Sequence, residues 1–233
     1  MYYYGFDLWY FVLVLPAVLL ALLASGAVKS TFNKYAKVTS ASGMTGAEMA
    51  QRVLAQNGVY GVRIEQIAGD LTDHFDPKAN VIRLSERVYG SRSVAALGVA
   101  AHEAGHAVQY AENYAPMKLR AAIIPMTNIG SNLSMPLILL GLILSLPTLA
   151  YLGVFAFGLS TLFQLITLPV EFNASHRAVR AMTDGRRLSD EDIAGTKKVL
   201  TAAALTYVAS LAVSLANLLR LYLIVSGGKS RRR

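Results

Sequence analysis

The chain contains no cysteine among its 233 residues. Disulfides, thiolate metal ligands and a cysteine nucleophile are therefore excluded, and any metal site must be built from histidine and carboxylate. Histidine is itself scarce, with four in all, and there is a single tryptophan. Charge is scarce as well: 15% of residues are Asp, Glu, Lys or Arg, against about 25% in an ordinary soluble domain. Acidic residues number 14 against 22 basic ones, leaving a net charge of +8. No internal repeat, low-complexity linker or nucleic-acid-binding motif is present, so nucleic acid is not an expected partner.

What replaces charge is apolar sequence. Hydrophobic residues make up 54% of the chain and its mean hydropathy is +0.43, the composition of an integral membrane protein. Leu8 to Val28 is one uncharged run of about 21 residues, enough to span ~30 Å of hydrocarbon. The preceding tip is rich in tyrosine and has no Lys or Arg, unlike a secretory signal, so an uncleaved anchor with an aromatic belt is expected. Cleavage near Ala24-Ser25-Gly26 is the competing reading. A second apolar region, Ile123 to Val170, has the length of two spans joined by a turn at Leu146-Pro147-Thr148. Pro125 and Pro136 fall within the first of these. Leu205 to Val225 makes a fourth segment, before the basic tail Lys229–Arg233.

Between the first two apolar regions the sequence reads as soluble. Thr45-Gly46-Ala47-Glu48 is a capping box that opens a helix ending at Asn57-Gly58. The short segments Val62–Ile67, Leu71–Phe75 and Val81–Leu84, separated by turn residues, predict a small antiparallel sheet. Ser91 or Ser93 caps a helix over about Val94–Glu112. Ser189-Asp190-Glu191-Asp192 starts another. The fold class expected is α+β, a polytopic helical membrane protein with a short antiparallel sheet. The expected division is an N-terminal transmembrane anchor (1–28), a cytoplasmic region (29–122) and two transmembrane helices (123–170). A cytoplasmic helical segment (171–204) and a fourth transmembrane helix with the tail (205–233) complete it.

Basic residues set the expected orientation. Residues 29–120 hold eleven Lys or Arg and residues 171–198 hold six, whereas the N-terminal tip and the 146–148 turn hold none. The positive-inside rule puts both polar regions in the cytoplasm, where they can share one site. The basic tail opposes this if Leu205–Val225 spans. Either that segment is an exception, with Arg220 snorkelling, or it dips into the membrane and returns.

The richest pattern is His102-Glu103-Ala104-Gly105-His106. At 3.6 residues per turn, His102 and His106 project from one face of a helix and can reach one metal. Glu103 lies about 100° round the helix, beside the metal rather than on it, where a general base is needed. A catalytic zinc takes three protein ligands, so one is missing from the motif. Three residues are candidates. Glu112 would continue the helix, but Gln109 stands where a bend-forming glycine is needed. His74 lies on a predicted strand and suits a supporting or oxyanion-stabilising role better than ligation. Glu171 directly follows an apolar span and is placed to meet the His102 helix. His176 reads as a surface or supporting residue, Asp70, Asp73 and Asp76 as turn residues, and Arg177, Arg180, Arg186 and Arg187 as a membrane-surface patch.

These segments resemble a known family. His102–Pro116, Leu71–Pro77, Ala202–Tyr207 and Leu168-Pro169-Val170-Glu171-Phe172-Asn173-Ala174-Ser175 look like the YugP-like neutral zinc metallopeptidases of bacterial membranes. More distantly the chain is similar to HtpX-like and CAAX-processing membrane gluzincins. The resemblance implies a zincin-like catalytic region in which His102, His106 and Glu171 bind Zn²⁺ and Glu103 is the base. It implies a zinc endopeptidase of the bacterial cytoplasmic membrane, facing the cytoplasm, whose partners are membrane lipid and a polypeptide substrate, unfolded or membrane-associated. In the distant relatives an Asp that supports a ligand histidine occupies the Ser175 position, so Asn173 or Asp76 is expected to substitute. A non-catalytic scaffold or chaperone partner with a structural or vestigial zinc site is the alternative. A di-iron centre lacks a second E-x-x-H, and transport would need polar residues at the bilayer midplane, where Gln164 and Asn217 are the obvious candidates and too few.

Overall fold

The computed structural model describes residues 7–184 and 188–230, with the side chains of 228–230 excepted. Tyr2–Tyr4 of the expected aromatic belt, Arg186, Arg187 and Arg231–Arg233 lie outside the described residues, as does the side chain of Lys229. The protein is mostly helical, with one three-stranded sheet. Helix α1 (Leu15–Tyr35) follows a π-helical turn at Tyr10–Val14, and α2 is Gly46–Gln56. Strands β1 (Arg63–Ile67), β2 (His74–Asp76) and β3 (Val81–Ser85) precede the single turn α3 (Glu86–Tyr89) and α4 (Val94–Ala111). Three long helices complete the chain: α5 (Ala115–Ile143), α6 (Pro147–Asp184) and α7 (Asp190–Ser230).

Among the described residues, four helical stretches are long and apolar enough to cross a membrane: Tyr10–Tyr35, Ala115–Ile143, Pro147–Asp184 and Asp190–Gly227. The chain divides into two compact units. One comprises residues 1–24, 119–167 and 206–233, the other residues 25–118 and 168–205.

In the first unit, small residues let helices approach closely. A methyl group added at Gly141 would collide with the Ala150 nitrogen, and one at Gly153 would lie 2.6 Å from the Ser134 carbonyl oxygen. Such contacts stabilise helices in lipid, where apolar burial gives no net gain. Most large apolar side chains here point outwards, among them Ile143, Phe155 and Leu165. Pro125 and Pro136 both lie inside α5. Arg220 is paired with Asp7, its Nε donating to Oδ2 at 2.7 Å, and its guanidinium lies over the Tyr10 ring. The ion pair gives Arg220 a counter-ion. α7 is one uninterrupted helix from Asp190 to Ser230, which does not fit the alternative of a segment that dips in and returns.

The second unit is organised around α4. This helix is apolar nearly all round and almost wholly buried, the signature of a central helix. Ser93 caps it, its hydroxyl accepting from Ala96 N–H. Met49 and Val53 of α2, Ile82 and Leu84 of β3, and Ala178 and Met182 of α6 pack in the same core. Thr45 and Glu48 form the reciprocal capping box of α2. Ser189 accepts from Asp192 N–H at the start of α7.

The sheet corrects the antiparallel expectation. Its order is β1-β3-β2, with β1 parallel and β2 antiparallel to β3. β3 carries Val81, Ile82 and Leu84, all fully buried, and so takes the centre, while the more polar β1 and β2 take the edges. Arg83 of β3 ties them together, reaching Asp76 at 2.9 Å and Glu65 at 3.8 Å. β2 begins at His74 rather than Leu71 because Leu71 has φ +57°, which cannot extend a strand.

At the α4–α6 crossing, a methyl group on Gly105 would lie 2.7 Å from the Ala174 carbonyl oxygen. Gly105→Ala should therefore force the helices apart and cost about 1–3 kcal/mol. A lowered thermal-unfolding midpoint in detergent checks this, and an unchanged midpoint would contradict the contact.

Candidate metal centre

The His102-Glu103-Ala104-Gly105-His106 run lies in the middle of α4. Helical spacing places its two imidazoles on one face, with ring centroids 4.7 Å apart. Across from them, α6 presents Glu171, which is 3% exposed. Its Oε2 lies 3.3 Å from His102 Nε2 and 3.5 Å from His106 Nε2. Ligands about 2.0–2.2 Å from a tetrahedral ion are separated by roughly 3.3–3.6 Å. The separations of Glu171 Oε2 from the two imidazole nitrogens match two edges of such a tetrahedron. His102, His106 and Glu171 can thus hold one metal ion, their donor atoms all lying within 4.8 Å of one another. With no thiolate in the chain, this set of two imidazoles and one carboxylate is the donor chemistry of catalytic rather than structural zinc.

The other ring nitrogens orient the imidazoles. His106 Nδ1 bonds to Gln109 Oε1 at 3.0 Å. An amide oxygen only accepts, so Nδ1 carries a proton, and in the neutral ring Nε2 keeps its lone pair for a metal ion. Gln109 is fully buried, and its Nε2 donates to the Val170 carbonyl at 2.8 Å and Asn173 Oδ1 at 2.9 Å. Asn173 Oδ1 also accepts from Arg177 Nε at 2.7 Å. His102 Nδ1 lies 3.1 Å from Ser175 Oγ. Gln109 was noted in the sequence only as a position lacking glycine. The signal available was its spacing, three residues after His106 on the same helix face.

Glu103 is 8% exposed, and its charge acts on both His106 and Asp73. Asp73 turns its carboxylate towards β3, accepting from Ser85 N–H at 2.7 Å. Burial pushes the Asp73 carboxyl up; the Ser85 hydrogen bonds oppose this and the Glu103 charge adds to it. Burial alone would lower the His106 pKa, but the Glu171 carboxylate and the Glu103 charge outweigh it and raise it.

The remaining sequence candidates fall elsewhere. His74 is exposed, with Nδ1 2.8 Å from the Thr72 carbonyl oxygen and Nε2 3.4 Å from Arg83. Asp76 is committed to Arg83 and to the Lys78 and Ala79 amides of the hairpin turn, so it does not substitute for the support expected at position 175. Asn173 contributes indirectly, by holding Gln109, while Ser175 itself meets His102. Glu112 pairs with Arg177 at 2.7 Å. His176 and Arg180 join Glu112 and Arg177 in lining a polar cavity of about 660 Å³.

A family model described as "Putative neutral zinc metallopeptidase" matches residues 10–226. The chain is 47% identical over 217 residues to "Putative membrane protease YugP" of Bacillus subtilis (strain 168), across 93% of this chain and 96% of the relative. No solved structure matches.

Because Glu171 completes the tetrahedral edges and Glu112 is held by Arg177, Glu171→Ala should lose a stoichiometric zinc that Glu112→Ala keeps. Elemental analysis of chelator-free preparations distinguishes the two, and zinc retained in Glu171→Ala would reject this donor set.

Proposed function

The chain belongs to the neutral zinc metallopeptidase family, and from that premise we propose that it is a membrane-embedded endopeptidase of the gluzincin type. In this reading it has a zincin-like catalytic region and cleaves unfolded or membrane-associated polypeptides. The observation that carries the reading is the tetrahedral-edge spacing of Glu171 to the two imidazoles, with Glu103 next to His102 on the same helix.

His102, His106 and Glu171 would hold the zinc through Nε2, Nε2 and a carboxylate oxygen. Zinc, when bound, polarises the scissile carbonyl and lowers the pKa of the attacking water. Glu103 is the base that takes a proton from that water as its oxygen attacks the carbonyl carbon. It then returns a proton to the departing amine as the C–N bond breaks. Gln109 and Ser175 keep the imidazole rings turned towards the site. Burial of Glu103 and Glu171 strengthens these charge interactions by limiting solvent.

An extended substrate is suited to pairing along β2. This edge strand packs on α4 through the contact of Phe75 with Tyr110, whose ring centroids are 5.8 Å apart. Backbone pairing reads few side chains, which fits broad selectivity. The concentration of Lys and Arg in residues 29–120 and 171–198 supports a site on the cytoplasmic face of the cell membrane.

Glu103→Gln tests catalysis apart from metal binding. The variant should retain zinc while cleavage of a labelled unfolded polypeptide falls by about 10²–10⁴-fold. Undiminished cleavage would reject the assigned base, whereas a wild-type chain that holds zinc but cleaves nothing would return the scaffold reading.

The raised pKa of His106 sets a pH dependence. In the metal-free protein, pairing of protonated His106 with Glu171 is fully present below about pH 6.5 and is lost as pH rises through the higher folded value. Zinc requires neutral imidazole, so its binding has the opposite sign. Zinc affinity should strengthen as pH rises above 6.5, with net proton release seen by calorimetry in buffers of different ionisation heat. Binding heats independent of the buffer would contradict this.

A further inference from the structure

A second cavity, of about 420 Å³, opens between the end of α1 and the beginning of α7. Lys34 of α1 and Lys197 and Lys198 of α7 line it, with the hydroxyls of Thr31 and Thr201. Among the described residues, no carboxylate lines it. The larger polar cavity beside the metal centre differs in this respect, because there Arg177 is paired with Glu112 and Arg180 with Asp184. All three lysines are exposed, and Ala202 and Leu205 add an apolar wall. The two helices touch at Gly195, where an added methyl group would lie 2.8 Å from the Tyr35 ring, so the lysines are held on backbones that are fixed together.

The position along both helices matters as much as the charge. α1 reaches Lys34 shortly after the uncharged run Leu8–Val28, and α7 begins an uncharged run immediately after Lys198, at Val199. The cavity therefore sits where both helices pass between polar and apolar sequence, the stretch at which a spanning helix meets lipid headgroups. Basic pockets between helices at that depth take phosphate headgroups, whose anionic oxygens pair with the ammonium groups while acyl chains lie along apolar side chains such as Leu205.

We propose that the cavity lined by Lys34, Lys197 and Lys198 binds the phosphate headgroup of an anionic membrane lipid. The test uses the full chain in detergent, stripped of lipid. Phosphatidylglycerol, phosphatidylcholine and inorganic phosphate are titrated in turn and bound species are read by native mass spectrometry. One phosphatidylglycerol per chain should bind at least about tenfold more tightly than phosphatidylcholine. K34Q/K197Q/K198Q should lose that preference, and each single substitution should weaken it. K34R/K197R/K198R should keep it, as should K37Q/K78Q/K118Q, which removes the same charge from exposed positions elsewhere. Equal phosphatidylglycerol binding by the two glutamine triples, or no preference between the lipids, would overturn the proposal. Displacement of the lipid by inorganic phosphate would overturn the lipid assignment in favour of a free-phosphate site. The single variants keep the test decisive if a triple variant does not fold.

Discussion

The close crossing of α4 and α6 is the contact on which the metal centre depends. Gly105 sits between the two histidines, and its missing side chain leaves room for the Ala174 carbonyl. With backbones this near, a short glutamate side chain on α6 reaches both imidazoles on α4. Any larger residue at position 105 would add distance where a donor set tolerates only a few tenths of an ångström. The alanines flanking this crossing, Ala101, Ala104, Ala174 and Ala178, are all fully buried, so the approach is maintained along the interface.

Burying a carboxylate and two imidazoles in such an interface is costly unless each polar atom has a partner. Part of this cost is offset by a connected set of hydrogen bonds around the imidazoles. Gln109 is the centre of it: one amide orients His106, satisfies the Val170 carbonyl and meets Asn173. The Val170 carbonyl belongs to the residue just before Glu171, so the same side chain that orients one histidine also fixes the backbone carrying the carboxylate. Arg177 extends the set outwards through Asn173 and Glu112. Orientation of the donors is thus linked to the surface of the polar cavity.

Scarcity of charge gives the few charged residues distinct positions. Arg220 and Asp7 pair with each other, as an ionisable side chain in an apolar segment must. Arg83 spans all three strands of the sheet through Glu65 and Asp76. Lys34, Lys197 and Lys198 gather where uncharged helix gives way to polar sequence. The first two arrangements are internal to the fold, whereas the lysines face outwards.

Local features were legible in the chain itself. The capping box at Thr45 and Glu48, the Ser93 cap, the helix carrying His102 and His106, and the turn before Pro147 depend on neighbours within a few residues, and helix geometry alone puts the two imidazoles on one face. The order and direction of the strands were not legible, because burial of β3 on both sides is a property of what packs around it. The place of Glu171 directly after an apolar span already favoured it over Glu112, but nothing in residue type revealed Gln109 as more than a polar residue without the flexibility of glycine. Its role arises from which side chains meet when two helices distant in sequence come into contact. The sequence by itself determined an apolar, cysteine-free chain with two histidines and a glutamate on one helix. The tertiary structure decided how near Glu171 comes to them, because the packing of Gly105 against Ala174 lets α6 approach both imidazoles.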